Sequence, residues 1–195
     1  MSKTRDKLIE VARQQFAKSG VEGTTMNDIA VYSKKGRRTL YTYFKSKREI
    51  YHAVIQSELE KLHASLLIVA NSDMPEDEKL LELIYARLDA IKEVVTRNGT
   101  LRANFFRDIW RVETVRKDFD MREIQIIKTI LDDGVKNGVF EIRNTDVTAE
   151  ILHHAFKGLE VPYIRGTLIG FANGKEGSLN AVVELLSIGL KKRNI

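Results

Sequence analysis

Arg37-Arg38-Thr39-Leu40-Tyr41-Thr42-Tyr43-Phe44 is eight residues with two apolar positions four apart. Wound as a helix at about 100° per residue, it places Leu40 and Phe44 on one side, able to pack on Ile29 and Phe16. Arg37, Arg38, Thr39, Tyr41, Thr42 and Tyr43 then point largely outward. These side chains suit a helix in a major groove. Arginine grips guanine O6 and N7 together, threonine touches a thymine methyl or a phosphate, and tyrosine hydroxyls bond phosphates. Lys34, Lys35, Lys45, Lys47 and Arg48 flank the segment, where sugar–phosphate strands would pass, and no acidic residue lies between Lys34 and Arg48. A merely solvated face would carry both signs of charge.

Working back toward the N-terminus, Leu8, Ile9, Ala12 and Phe16 recur at helical spacing from about Thr4 to Lys18, and Ser19-Gly20 supplies the stop. Thr25-Met26-Asn27-Asp28 resembles a capping box, opening a short helix to about Tyr32 with Ile29 and Ala30 inward. Ser33-Lys34-Lys35-Gly36 breaks it, and a second short helix runs from about Arg37 to Tyr43. A longer supporting helix followed by two short ones around a tight glycine-containing turn makes a tri-helical helix-turn-helix.

Charge has the same polarity along the chain. Residues 1–57 hold 12 Lys/Arg against 5 Asp/Glu, while the rest holds 20 against 22, so the whole net charge of +5 comes from the first third. A basic head on a near-neutral body is expected of a nucleic-acid binder. Cysteine is absent, which excludes disulfides, thiolate nucleophiles and cysteine-based metal sites. The N-terminal residues lead into an amphipathic pattern without an apolar signal block, and the longest apolar run is Leu66 to Ala70, so a cytoplasmic protein is expected.

Residues 4–55 resemble the DNA-binding head of the TetR family of bacterial regulators. The matching features are Phe16 and Gly20, Thr25, Ile29-Ala30, and Thr39-Leu40-Tyr41-x-Tyr43-Phe44-x-x-Lys47. The resemblance implies that Thr25, Tyr43 and Lys47 bind phosphates and that Arg37, Arg38, Thr39, Tyr41 and Thr42 lie at or near base edges. Ile130-Leu131-x-x-Gly134-x-x-x-Gly138-x-Phe140 resembles the family's approach to its dimerisation helices. One departure stands in the turn, where the family has Ala-Gly-Val-Ser and this chain has Ser33-Lys34-Lys35-Gly36. Either Lys34 takes the positive-φ slot at a cost of order 1 kcal/mol, or the turn re-routes through Gly36. Either way Lys34 and Lys35 add positive charge beside the phosphates.

The body, residues 48–195 after a head of 1–47, also reads as helices. Ser46-Lys47-Arg48-Glu49 is a full capping box opening a long helix with a stripe of Ile55, Leu59, Leu62, Leu66 and Val69. Pro75 sits in the first turn of the next, whose stripe is Leu80, Ile84, Leu88, Ile91 and Val95. Further helices are expected over about 101–111, from 115 to an end at Asn137-Gly138 with a stripe of Ile124, Ile127, Leu131 and Val135, over 146–159, and over 178–192. The fold class is all-α, about nine helices, with no internal repeat. A single recognition helix covers only ~4–5 base pairs, so the heads should work in pairs. The expected dimer surface is Val147, Ile151, Ala155 and Leu159 with Leu179, Val182, Val183, Leu186 and Leu190, two helices per subunit making a four-helix bundle; their competing role is intramolecular core. Tyr85, Leu88, Phe105, Phe106, Ile109, Trp110, Ile127, Phe156 and Tyr163 form an apolar middle in which the resemblance implies a small-molecule pocket, against the simpler role of core filling. Arg87, Arg102, Arg107 and Arg111 near it would favour an anionic inducer, with most of them expected at the surface.

Signals of catalysis fail. His52 with His63, and the adjacent His153 and His154, lack the i,i+4 spacing of two ligands on one helix face. Gly170 to Glu176 has three residues between its glycines where a phosphate loop has four, and Glu176 stands where Ser or Thr should. No metal and no cofactor is expected. The expectation is therefore a homodimeric, sequence-specific transcriptional regulator, of the repressor kind, that reads a palindromic operator in double-stranded DNA and is released by a small-molecule ligand. Its rivals are an all-α enzyme with an incidental basic head and a helix-turn-helix interaction module without an inducer.

Overall fold

The computed structural model describes residues 2–97, 113–165 and 167. Seven helices lie among them: α1 Lys3–Ser19, α2 Met26–Ser33, α3 Arg37–Tyr43, α4 Lys47–Ala70, α5 Glu76–Arg97, α6 Glu113–Lys136 and α7 Thr145–Arg165. No β-strand occurs among the described residues, and no helix there is long and apolar enough to cross a membrane. The helices expected over 101–111 and 178–192, and with them Phe105, Phe106, Ile109, Trp110, Leu179, Val182, Val183, Leu186 and Leu190, lie outside the described residues, as do Arg102, Arg107 and Arg111.

The chain divides into two compact units, one of residues up to 61 with 93–118, the other of 62–92 with those from 119 on. In the first, α1 ends where Gly20 takes φ 74°, ψ 164°, a region glycine alone enters freely, and its N–H still reaches Phe16 O at 2.9 Å. Leu8, Ala12 and Phe16 of α1 are fully buried with Ile29 of α2 and Leu40 of α3. Phe16 meets Tyr51 edge to face at 5.8 Å between ring centres. Glu58 is buried as well. Burial works against its charge, but hydrogen bonds from Lys61 and Arg97 hold its pKa below the ordinary carboxylate value.

In the second unit the α4 stripe from Leu62 to Val69 is buried, as are Leu80, Ile84, Leu88 and Ile91 of α5. The buried side of α6 is rotated from the expected stripe. Phe119, Ile126 and Ile130 join Ile127 and Leu131, whereas Val135 faces outward. The reason is the end of this helix. Gly138 at φ 75° closes it with Gly138 N–H to Val135 O at 3.1 Å and Val139 N–H to Gly134 O at 2.8 Å, a Schellman pair. Phe140 folds back onto Gly134, where a Cβ would sit 2.2 Å from the ring. That contact keeps the Gly134 side of the helix inward and turns the neighbouring Val135 away.

Helix α7 runs six residues beyond the expected end at Leu159, through Pro162 to Arg165. Proline there forfeits one backbone donor and crowds the carbonyl four residues earlier, which is that of the exposed Gly158. The Pro162 carbonyl accepts from the Thr167 N–H at 3.0 Å and hydroxyl at 3.3 Å.

Candidate nucleic-acid interface

Helix α2 opens on the capping box read from sequence. Thr25 Oγ1 accepts the Asp28 N–H at 3.2 Å and donates to Asp28 Oδ2 at 2.7 Å, while the Thr25 N–H reaches the same carboxylate at 2.8 Å. These bonds hold the Asp28 carboxyl below its ordinary pKa. At the other end Lys34 takes φ 55°, ψ 38°, while Gly36 keeps φ −63°. So the turn is not re-routed, and Lys34 itself occupies the left-handed slot. The Lys34 N–H reaches Val31 O at 3.0 Å and the Lys35 N–H reaches Ala30 O at 3.1 Å, the same closure that glycine makes at 138. Both orphan carbonyls are thereby satisfied, at the cost of a Cβ in αL.

An α-helix with its side chains is about 10–12 Å across, the width that a major groove of about 12 Å admits, and α3 presents two turns to it. Leu40 is its one buried residue, and Phe44 is buried directly after it. Arg37, Arg38, Tyr41 and Thr42 are exposed; Thr39 and Tyr43 are half-buried. The hydroxyl of Thr42 donates to Arg38 O at 2.9 Å, pinning it to its own helix, and the Tyr43 hydroxyl lies 3.1 Å from Ser2 Oγ. Arg5 of α1 sits 5.3 Å over the Phe44 ring, so the supporting helix and the underside of α3 are tied by a cation–π contact.

Lys47 is half-buried, and its ammonium donates to Val21 O at 2.7 Å. The same ammonium lies 3.5 Å from both the carbonyl and the carboxylate of Glu22, so this anchor fixes the loop between α1 and α2, and a phosphate at Lys47 would take the place of the exposed Glu22 carboxylate. The capping box expected at Ser46 is made in altered form. Ser46 Oγ accepts the Glu49 N–H at 3.1 Å, but the Glu49 carboxylate takes the N–H of Lys45 at 2.7 Å, one residue before the expected one. The extended backbone at Phe44 turns the Lys45 N–H back toward α4.

Thr25, Lys34, Lys35, Arg37, Arg38, Thr39, Tyr41, Thr42, Tyr43 and Lys47 thus all belong to one small unit. None of their charged or hydroxyl groups is folded into the interior. Two further side chains stand out that the sequence reading passed over. Val31 is 64% exposed and Tyr32 56% exposed, both on the outer side of α2. The signal for them was available: with Ile29, Ala30 and Ser33 inward, positions 31 and 32 must face away.

In the other unit Tyr85, Leu88, Ile127 and Phe156 are buried, and Tyr163 is partly exposed with its hydroxyl donating to Asp89 Oδ1 at 2.6 Å. Burial and that carboxylate push the Tyr163 pKa up to about 12. Arg87 is not at the surface. It is fully buried, paired with Glu123 and Glu160, so its charge is already neutralised and does not favour an anionic ligand. On α7 Val147 and Ile151 are 50% and 62% exposed, Ala155 is exposed and Leu159 half-buried. They share the face opposite Ala149, His153, Phe156 and Glu160.

An outward basic helix braced by two others is the reading head of a helix-turn-helix DNA-binding regulator. Residues 8–54 match the sequence profile described as bacterial regulatory proteins, tetR family. The chain is 26% identical over 153 residues to the HTH-type transcriptional regulator YhgD of Bacillus subtilis (strain 168), covering 78% of this chain and 80% of that one. It is 29% identical over 141 residues to the HTH-type transcriptional repressor KstR2 of Mycolicibacterium smegmatis, covering 70% and 67%. A transcriptional regulator from Cytophaga hutchinsonii superposes with a TM-score of 0.73 at 21% identity, over 96% of this chain and 98% of that one, which shows a common fold. The head of the chain, residues 8–54, is thus similar to that of the tetR family of bacterial regulatory proteins.

Proposed function

We propose that this chain is a homodimeric repressor that binds a palindromic operator in duplex DNA and is released by a small molecule held in its helical body. The observation that carries the reading is the face of α3, with Arg37, Arg38, Tyr41 and Thr42 outward over a buried Leu40 and no acid from Lys34 to Arg48. Arg37 and Arg38 read bases together with Thr39, Tyr41 and Thr42. Thr25, Lys34, Lys35, Tyr43 and Lys47 hold phosphates. The two roles divide the head, residues 1–47, from a ligand-binding and dimerising body, 48–195.

Dimerisation is supported by the apolar side chains on the outer face of α7, Val147 and Ile151 above all. Ligand binding is assigned to the aromatic middle of the body, through Tyr85, Leu88, Ile127, Phe156 and Tyr163 with Phe105, Phe106, Ile109 and Trp110 by sequence. The place of action is the cytoplasm, and no catalytic step belongs to this reading.

The test is a gel shift against random duplexes across salt. A regulator predicts log K falling linearly with log salt, by about 0.9 for each phosphate held. A chain that binds no duplex at low salt is an interaction module or an enzyme, and the reading fails. Ile151→Glu should halve the sedimenting mass with helix content retained. A dimer that survives it removes this face of α7 from the interface.

A further inference from the structure

The start of α1 and the end of α3 are held together at two places one helical turn apart. Ser2, the residue before α1, places its hydroxyl 3.1 Å from the Tyr43 hydroxyl, and Arg5 sits 5.3 Å over the ring of Phe44. Ser2 stands in the N-cap position, where a serine side chain normally accepts a backbone N–H of the first turn. Here it makes no such bond. Its hydroxyl is turned to the last residue of α3 instead.

A hydroxyl carries one proton and two lone pairs. Whichever of the two donates across 3.1 Å, the pair spends one proton and keeps another for an acceptor outside the chain. Both groups reach the surface, with Ser2 exposed and Tyr43 half-buried. Lys3 follows, also exposed, its Cα about 3.8 Å from that of Ser2. The acid of this stretch, Asp6, lines the groove between α1 and α4 together with Ile9 and Glu10. Two hydroxyls with a lysine beside them offer hydrogen-bond donors and positive charge, which suits an anion.

We propose that the start of α1 belongs to the DNA contact: Ser2 aims the Tyr43 phenol at a backbone phosphate, and Lys3 supplies charge to the same phosphate. The inference rests on the reading of α3 as the groove helix and adds a second element to it. With the phenol donating to a phosphate oxygen, Ser2 donates to the phenol oxygen, and bonds in such a chain strengthen one another. Ser2 is a positioning residue that acts through Tyr43. Lys3 neutralises phosphate charge and releases a counterion. Neither reads a base, because phosphate contacts carry no sequence. A contact that served only to tie α1 to α3 would show in stability and leave DNA binding alone.

The experiment uses the full chain. Affinity is measured on a selected and an unselected duplex across salt, with thermal unfolding alongside. Ser2→Ala should weaken both duplexes alike, by about two- to tenfold. In a Tyr43→Phe background it should cost nothing further, because the hydroxyl that it aims is gone. Its Tm should match the parent's, as no cap bond is lost. Lys3→Gln should make the dependence of log K on log salt shallower by about 0.9 per head. Lys136→Gln, at an exposed lysine that ends α6, should keep the parent slope. The inference is overturned, with the reading of α3 left standing, if the parent binds duplex and either Ser2→Ala or Lys3→Gln binds as it does. It is also overturned if Ser2→Ala costs as much without the Tyr43 hydroxyl as with it, or if its loss is confined to the selected duplex. Lys136→Gln flattening the slope as much as Lys3→Gln would reduce the effect to overall charge and overturn it too. A Ser2→Ala chain that melts several degrees lower and binds DNA unchanged would assign Ser2 to helix capping alone. A parent that binds no duplex at low salt removes the reading of α3 and this inference with it.

Discussion

Lys34 carries two separable burdens, a left-handed backbone and a charge beside the expected phosphate path, and two substitutions pull them apart. At φ 55° a side chain costs about 1–2 kcal/mol that glycine does not pay. Glycine gives back about 0.4–1 kcal/mol through the looser unfolded chain. Lys34→Gly should therefore stabilise the protein by about 0.5–1 kcal/mol, or about 1–4 °C in Tm for a chain of this length. Lys34→Ala keeps the Cβ in αL and should leave Tm where it is. Both variants lose the same ammonium, so both should show a salt dependence of DNA binding shallower by about 0.9 per head. Thermal unfolding by circular dichroism and salt-titrated binding read the two effects. If Lys34→Gly and Lys34→Ala melt together, or the glycine variant melts lower, the turn stores no strain at Lys34.

Further expectations concern the end of α6 and the α2 cap. Gly134→Ala would ordinarily gain about 1 kcal/mol in a helix interior, but a Cβ 2.2 Å from the Phe140 ring should reverse the sign, to a loss of about 1–3 kcal/mol in denaturant unfolding. The Asp28 carboxyl has its folded pKa depressed by Thr25, so its contribution is fully present above the ordinary value of 3.8 and is lost as pH falls through the lower, folded value. The stability advantage of the parent over Asp28→Asn should accordingly be constant at neutral pH and vanish in acid; an advantage that grows on acidification contradicts the cap. Lys47→Ala should weaken all duplexes alike and also loosen the loop at Val21, which faster amide exchange there would report.

Much of the head was legible because its signals are local. The Thr25–Asp28 box and the Leu40–Phe44 pair lie within one turn of a helix, where spacing alone places side chains. The helix stop at Gly138 is legible for the same reason, whereas the packing of Phe140 on Gly134 is not. The turn was not, since Lys34 and Gly36 each offered a route and only the closure onto Ala30 and Val31 decides between them. Nor was the ionic cluster. Arg87 meets partners 36 and 73 residues away, and no periodicity announces a charge that is buried by tertiary pairing. The reach of α7 beyond Leu159 was not legible either, since a proline inside a helix is uncommon and here the backbone carries on past Pro162.

The central claim is that α3 reads a duplex groove, and Arg38→Ala measures it most directly. Its affinity should be compared with the parent's on a sequence selected from random DNA and on an unselected duplex, at one salt concentration. The account predicts a loss on the selected sequence worth about 1–3 kcal/mol beyond any loss on the unselected one. Equal losses on both would place Arg38 on phosphate, and no loss on either, with the same result for Arg37→Ala, would mean this helix does not read DNA.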